Sequence, residues 1–251
     1  SDVALAAIPI KWNGTTTQIA PRAAAQNGTT TTTLTLNMPT GTIQNDVMVA
    51  SFGFRTYSGG LSSDIGIATV PAGWNLVRRL DNVNISLGGA SNGLVVYWKL
   101  AGAGETGPYT WTLSCTASCI TYGFSAAAGG IVSFSGVDTA NPINVEDGNC
   151  TLQGSCATQT STHATPSVTT TVANTMLVTS HGYSSPIAWT PPTGMTEAVD
   201  VQAGNQSNEI NYALQAAAGA TGTKTATATG DDDTGNAHIL ALRPIGITKF
   251  Y

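Results

Sequence analysis

The 251-residue chain has a formal net charge of −5, and only 9% of its residues are charged; hydroxyl, amide and small side chains take their place. So few, unclustered Lys and Arg exclude a nucleic-acid partner, which is held by releasing counterions from phosphates onto clustered basic groups. Hydrophobic residues make up 41% and are patterned, which excludes a disordered chain, and no run reaches the ~18 apolar residues of a membrane span.

In chain order, residues 1–22 are an N-terminal extension. Val3, Leu5, Ala7 and Pro9 fall on one side of an extended segment, and Ala4, Ala6, Ile8, Ile10 and Trp12 on the other. Apolar residues on both sides predict a strand buried on both faces; Pro9 removes one ladder donor, which suits an edge. No basic flank of a signal peptide precedes the segment, so Ser1 is expected to begin a processed chain.

From residue 23 onward short β-rich runs are bounded by Gly, Pro, Asn and Asp, and no helical stripe is sustained. Several runs occur twice. Residues 45–54 align with 174–183, the turn Pro71-Ala-Gly-Trp74 with Pro192-Thr-Gly-Met195, residues 97–112 with 212–227, and residues 131–134 with 239–242. Between blocks the spacing shrinks, as it does when loops shorten while strands are kept.

Four cysteines form two close pairs, Cys115 with Cys119 and Cys150 with Cys156, in Gly/Ser/Thr/Asn-rich surroundings that read as loops. Two local disulfides are expected, with a cross-loop pairing as the alternative, and an oxidising, extracellular or cell-surface location follows. The spacings do not match zinc sites. The segment 245–251 carries Ile247, Phe250 and Tyr251 outside the repeat and predicts a C-terminal strand.

Three groups of residues, 71–79, 109–114 and 127–138 with Asn141-Pro-Ile143, resemble a β-rich module of large secreted, surface-attached and phage-related bacterial proteins. The resemblance spans about residues 30–244. It implies an extracellular structural or adhesive role and transfers no catalytic residue.

The chemistry in the sequence is sparse. A Gly-x-Ser-x-Gly elbow and a His-Glu-x-x-His motif are both absent. His163, His181 and His238 are far apart in sequence, and His181 takes the place of Phe52 in the repeat, which predicts a packing role. Glu105, Glu146, Glu197 and Glu209 are each expected in or beside loops, which speaks against a paired-carboxylate glycosidase site. Asp231, Asp232 and Asp233 are the densest carboxylate cluster; calcium binding there would rest on Asp231 and Asp233, but the distal Glu of a calcium loop is missing and a solvated turn is expected. Trp74, Trp98, Trp111 and Trp189 read mostly as core rather than sugar platforms. Sequons at Asn13, Asn27, Asn84, Asn149 and Asn205 arise readily by chance in so Thr-rich a chain.

These readings predict an all-β fold, an antiparallel, jelly-roll-like β-sandwich built from two internally repeated halves, either one composite sandwich or two in tandem. The expected organisation is an extension and candidate donor strand at 1–22, a first repeat at 23–140, a cysteine-containing connector at 141–163, a second repeat at 164–244 and a strand at 245–251. The expected function is non-enzymatic and without metal or cofactor: an extracellular subunit whose partner is itself, polymerising into a pilus-like or matrix filament by strand exchange. Val3, Leu5, Ile8, Ile10, Trp12, Ile247, Phe250 and Tyr251 are its candidate assembly residues. The alternative is a carbohydrate- or receptor-binding module of an adhesin or phage tail, with surface glycans as ligands and Trp189 or Tyr57 in contact with them.

Overall fold

The computed structural model describes residues 18–83, 91–150, 160–230 and 232–246. The first half comprises β1 (Ala20–Thr29), β2 (Thr33–Leu36), β3 (Val47–Thr56), β4 (Ile65–Thr69), β5 (Asn75–Asn82), β6 (Asn92–Leu100), β7 (Tyr109–Cys115), a short helix α1 (Ala117–Tyr122) and β8 (Phe124–Ser135). The second comprises β9 (Ile143–Cys150), β10 (Thr162–Ala164), β11 (Thr169–Thr170), β12 (Thr175–Tyr183), β13 (Trp189–Thr190), β14 (Thr196–Ala203), β15 (Gln206–Gln215), β16 (Gly219–Ala220), β17 (Thr225–Ala228) and β18 (Gly235–Leu242). Each half is a five-stranded sheet faced by a three-stranded one, all antiparallel. The orders are β1-β8-β3-β6-β5 with β2-β7-β4, and β9-β18-β12-β15-β14 with β10-β17-β13; β11 pairs with β16 beside the second half.

Strand order is therefore the same in the two halves when β1 is matched with β9. The irregularities match as well. A bulge at Arg22 in β1 has its counterpart at Asn144 in β9, and one at Val77 in β5 has its counterpart at Ala198 in β14. Asn45 and Asn174 enter β3 and β12 with φ of 71° and 58°, a left-handed conformation that Asn tolerates better than most residues. Both Pro-x-Gly turns place glycine at φ near 80° and close with a bond from the residue after it, Trp74 N to Pro71 O at 3.3 Å and Met195 N to Pro192 O at 3.0 Å.

Two expectations need correction. Residues 143–150, assigned to a connector, are the edge strand β9, held by β18; likewise β1 begins at Ala20, inside the expected extension. The alignment of 97–112 with 212–227 is one residue out in β15. Val95 lies opposite Phe52 and Glu209 opposite His181, so Tyr97 corresponds to Asn211, and Tyr212 to Trp98. Similar residue types suggested the other register, but a one-residue slip in a strand reverses every face.

The two five-stranded sheets stack face to face, so the molecule has four layers. β1 lies over β14 and β5 over β9, each half's first strand meeting the other's last. Val47, Val49, Val132, Phe134, Met176, Val178, Ile210, Leu240 and Leu242 fill the layer between them. Close approach is built in at Gly130, where a Cβ would come within 2.6 Å of Val199. Toward one end the layer turns polar and its amide groups donate across it: Asn92 to Gln206 Oε1 at 2.8 Å, Asn236 to Asn92 Oδ1 at 2.9 Å and Asn82 to Gly235 O at 3.1 Å. Arg55, 5% exposed, donates to the carbonyls of Ser184 and Asn205. Because one apolar layer serves both halves, Ile210→Ala should cost about 2–5 kcal/mol and, in denaturant titration, shift one transition for the whole chain rather than split off the second half.

Candidate functional site

The inward positions between the two sheets of the first half are apolar, with Phe52, Val95, Tyr97 and Trp111 packed beside Leu34, Met48 and Trp74. The matching space in the second half has another chemistry. His181 stands at the place of Phe52, Glu209 at that of Val95, Asn211 at that of Tyr97 and His163 at that of Leu34, and all four are fully buried. Ala226 replaces Trp111, and Trp189, at the place of Ile67, fills the volume with its ring centroid 5.4 Å from His163 and 5.6 Å from Tyr183.

His181 Nδ1 lies 3.3 Å from Glu209 Oε2, Asn211 Nδ2 donates to Thr179 Oγ1 at 3.4 Å, and Trp189 N donates to Asp200 Oδ2 at 3.1 Å. Burial drives His163 down to about 3, with the charge of His181 acting in the same direction. Burial raises the carboxyls of Glu197 and Asp200, and the carboxylate of Glu209 adds to both. His181 and Glu209 thus combine a base with a carboxylate able to orient it, but they are enclosed between sheets rather than set in a cleft. The repeat indicated the burial of His181. It did not indicate the partner, because the alignment placed Glu209 one residue off.

Three glutamates expected near loops are in strands: Glu146 in β9, Glu197 in β14 and Glu209 in β15. Each carboxylate is tolerated there because it has a cationic or imidazole neighbour or keeps part of its surface in water. Glu146 ties the halves together. It accepts Arg78 Nε at 2.7 Å and Nη2 at 3.0 Å, a bidentate pair between β5 and β9, and lies 3.1 Å from His238 Nε2. The bond to His238, then that to Arg78, hold its carboxyl down to about 2.

Cys115 and Cys119 form a disulfide across the start of α1; that stretch is a strand end and a helix rather than a loop. Cys150 closes β9, and Cys156 lies outside the described residues. So do Asp231 and the candidate assembly residues Val3, Leu5, Ile8, Ile10, Trp12, Ile247, Phe250 and Tyr251. The oxygens of Asp233 are engaged by Ser185 Oγ and Thr234 N, and no metal-binding group of three His, Cys, Asp or Glu occurs among the described residues. Trp74, Trp111 and Trp189 are buried. Trp189 is thus no sugar platform, its aromatic face being spent on the second core. Among the described residues no helix is long and apolar enough to cross a membrane.

Three features remain on the surface. The first is the corner where the described chain begins and ends. Ile19 is buried there, Ile245 N donates to Gly136 O at 3.0 Å, and a Cβ on Gly136 would lie 2.9 Å from Gln18 O. Beside it is an open depression of about 400 Å³ lined by Arg22, Asp46, Thr139 and Ile245. The second is an open depression of about 410 Å³ between β4 and β5, lined by Ile67, Val70, Trp74, Leu76, Val95 and Tyr97 together with the cation Arg79. The third is an exposed patch around the disulfide, where Tyr57, Ile120 and Tyr122 are 51%, 71% and 49% exposed.

No family model, no curated protein and no solved structure matches the chain.

The titrating groups fix the sign of the acid response. His163 falls from 6.5 to about 3 in the folded chain and Glu146 from 4.5 to about 2. In each interval the unfolded chain takes up a proton that the folded chain does not, so stability is full above pH 6.5 and is lost as pH falls. Chemical denaturation between pH 7 and pH 3 should show that loss beginning below pH 6.5. His163→Leu, which installs the residue found at the matching Leu34, should make the profile shallower from pH 6.5 down to about pH 3 and leave only the Glu146 contribution that sets in below pH 4.5.

Proposed function

We propose that this chain is a structural subunit of an extracellular filament, joined to copies of itself when an end of one protomer completes a sheet of the next. The observation that carries the reading is the meeting of the first and last described residues at one corner, against Gly136 and beside β1, an edge strand of its five-stranded sheet. Segments leaving from an edge are well placed to add to a neighbouring sheet, where main-chain bonds give affinity and alternate side chains give specificity. A head-to-tail contact of this kind does not close on itself and so propagates.

Two further properties support the reading. The clustered imidazole and carboxylate groups of the second half are interior, and the Cys115–Cys119 disulfide suits an oxidising compartment. The low charge leaves few ions to desolvate when subunits pack side by side.

A second reading rests on the Tyr57, Ile120 and Tyr122 patch, whose exposed rings suit a glycan or a receptor surface. Tyr57→Ala with Tyr122→Ala would abolish glycan-array binding under that reading and leave filaments unchanged under the first.

Electron microscopy of the purified chain tests the first reading directly. Regular filaments are expected from the full chain, and deletion of residues 1–12 should leave a folded monomer. Monodisperse full-length protein under every assembly condition, or filaments that persist after the deletion, would overturn assembly through the N-terminal segment.

A further inference from the structure

The outer sheet of the first half is two strands narrower than the sheet it covers, and it stops at β4. Beyond β4 lies the open depression whose floor is Val95, Tyr97 and Trp74 and whose far wall is Leu76 and Arg79 of β5, the guanidinium being paired with Asp81. Leu76 is 55% exposed and Val70 37%. A fourth outer strand would cover both.

The main chain of β4 is oriented to receive such a strand. Leu113 N donates to Thr32 O, on the β2 side, so the main-chain groups of Leu113 point away from β4. Ile67 is its partner across the β7–β4 pair. Opposed residues of an antiparallel ladder bond to each other or both point outward, so Ile67 N–H and C=O face the free edge. The carbonyl of Ile65 does the same by alternation, its N–H being taken by Ser62 O. Ile65 and Ile67 turn their side chains into the core of the first half, so a residue bonded to Ile67 from outside must also turn its side chain inward.

We infer that this edge is the acceptor, and that its occupant is residues 3–12 of a second copy of the chain; the inference rests on the strand-exchange reading above. Pro9 has no N–H and must belong to the set that points away from β4. That set is Val3, Leu5, Ala7, Pro9 and Lys11, which places the one charged side chain in solvent. The other set, Ala4, Ala6, Ile8, Ile10 and Trp12, bonds to β4 and fills the groove. A single constraint, the proline, thus sorts the segment with its bulkiest side chains inward and its lysine outward.

The matching edge of the second half is unsuited. Glu197 stands at the place of Leu76, and β13 is only two residues long and is followed at the place of Val70 by Pro191, which offers no N–H; the next residue is proline in both halves, Pro192 and Pro71. Of these two matching edges, the one at β4 is suited to accept a strand. The donor departs beside β1 and the acceptor opens beside β5, the opposite edges of one sheet, which is the polarity of a head-to-tail polymer.

Full-length Leu76→Asp, Ile10→Asp and Leu5→Asp proteins, with Ile120→Asp as a surface control, test this by electron microscopy and by hydrogen exchange at the Ile67 amide. Leu76→Asp and Ile10→Asp should abolish filaments while the thermal transition is retained. Leu5→Asp and Ile120→Asp should assemble as wild type, and Ile67 exchange should slow by at least about tenfold on assembly. Filaments unaffected by Leu76→Asp would overturn the acceptor while leaving the filament reading intact. Equal effects of Leu5→Asp and Ile10→Asp would overturn the assigned faces. Ile67 protection that is already complete in dilute monomer and is lost in Ile10→Asp would place the chain's own segment in the groove and overturn the exchange between copies.

Discussion

The apolar layer between the two five-stranded sheets, centred on Val49, Val132, Phe134, Val178, Ile210 and Leu240, dictates what the rest of the chain must do. A sheet that buries one face in this layer still has another, and on β3, β12 and β18 that face is also shielded from water. Each five-stranded sheet therefore needs an outer cover, and the three-stranded sheets supply it. The stacking of first strands over last makes the contact self-complementary, as in a twofold dimer, although one chain provides both sides. Four layers follow from a single interface.

Each half then solves the same covering problem with different chemistry. The first packs aromatic rings, Phe52 to Trp111 at 5.5 Å and Trp74 to Trp111 at 5.2 Å between centroids. The second has His181, Glu209 and Asn211 at the places of Phe52, Val95 and Tyr97 and compensates for lost volume with Trp189. Burying an imidazole beside a carboxylate gains little over a well-packed apolar core, because desolvation offsets the attraction. Breaking it by removing one partner is costly. The second core is the more acid-sensitive of the two because burial holds His163 down to about 3, and the shared layer couples that sensitivity to the first half.

Much of the architecture was legible in the sequence because core strands repeat by residue type. Asn45 and Asn174, the Pro-x-Gly turns and the apolar runs of β3 and β12 recur at matching places, and alternation around Trp111 gave its burial. Three things were hidden. β9 shares too little apolar pattern with β1 to be matched, since Glu146 and Asp147 are satisfied by Arg78 and His238 rather than by a core. The register of β15 was misjudged because Tyr212 resembles Tyr97 in type while Tyr97 and Asn211 share the place. The His181–Glu209 pair could not be found without that register, since nothing local marks Glu209 as buried.

The incomplete cover of the first half follows from the same geometry. Three strands over five leave room on at least one side of an outer sheet, and the second half closes its equivalent with Trp189, Pro191 and a carboxylate that tolerates water. The first half instead leaves Leu76 and Val70 exposed beside an unpaired edge, the arrangement that proteins ordinarily avoid because it invites pairing with another chain. The matching place of the second half is blunted by a carboxylate and an additional proline, Glu197 standing for Leu76 and Pro191 for Val70. An edge protected in one copy of a design and left open in the other is more economically explained by a strand it receives than by a fault in packing.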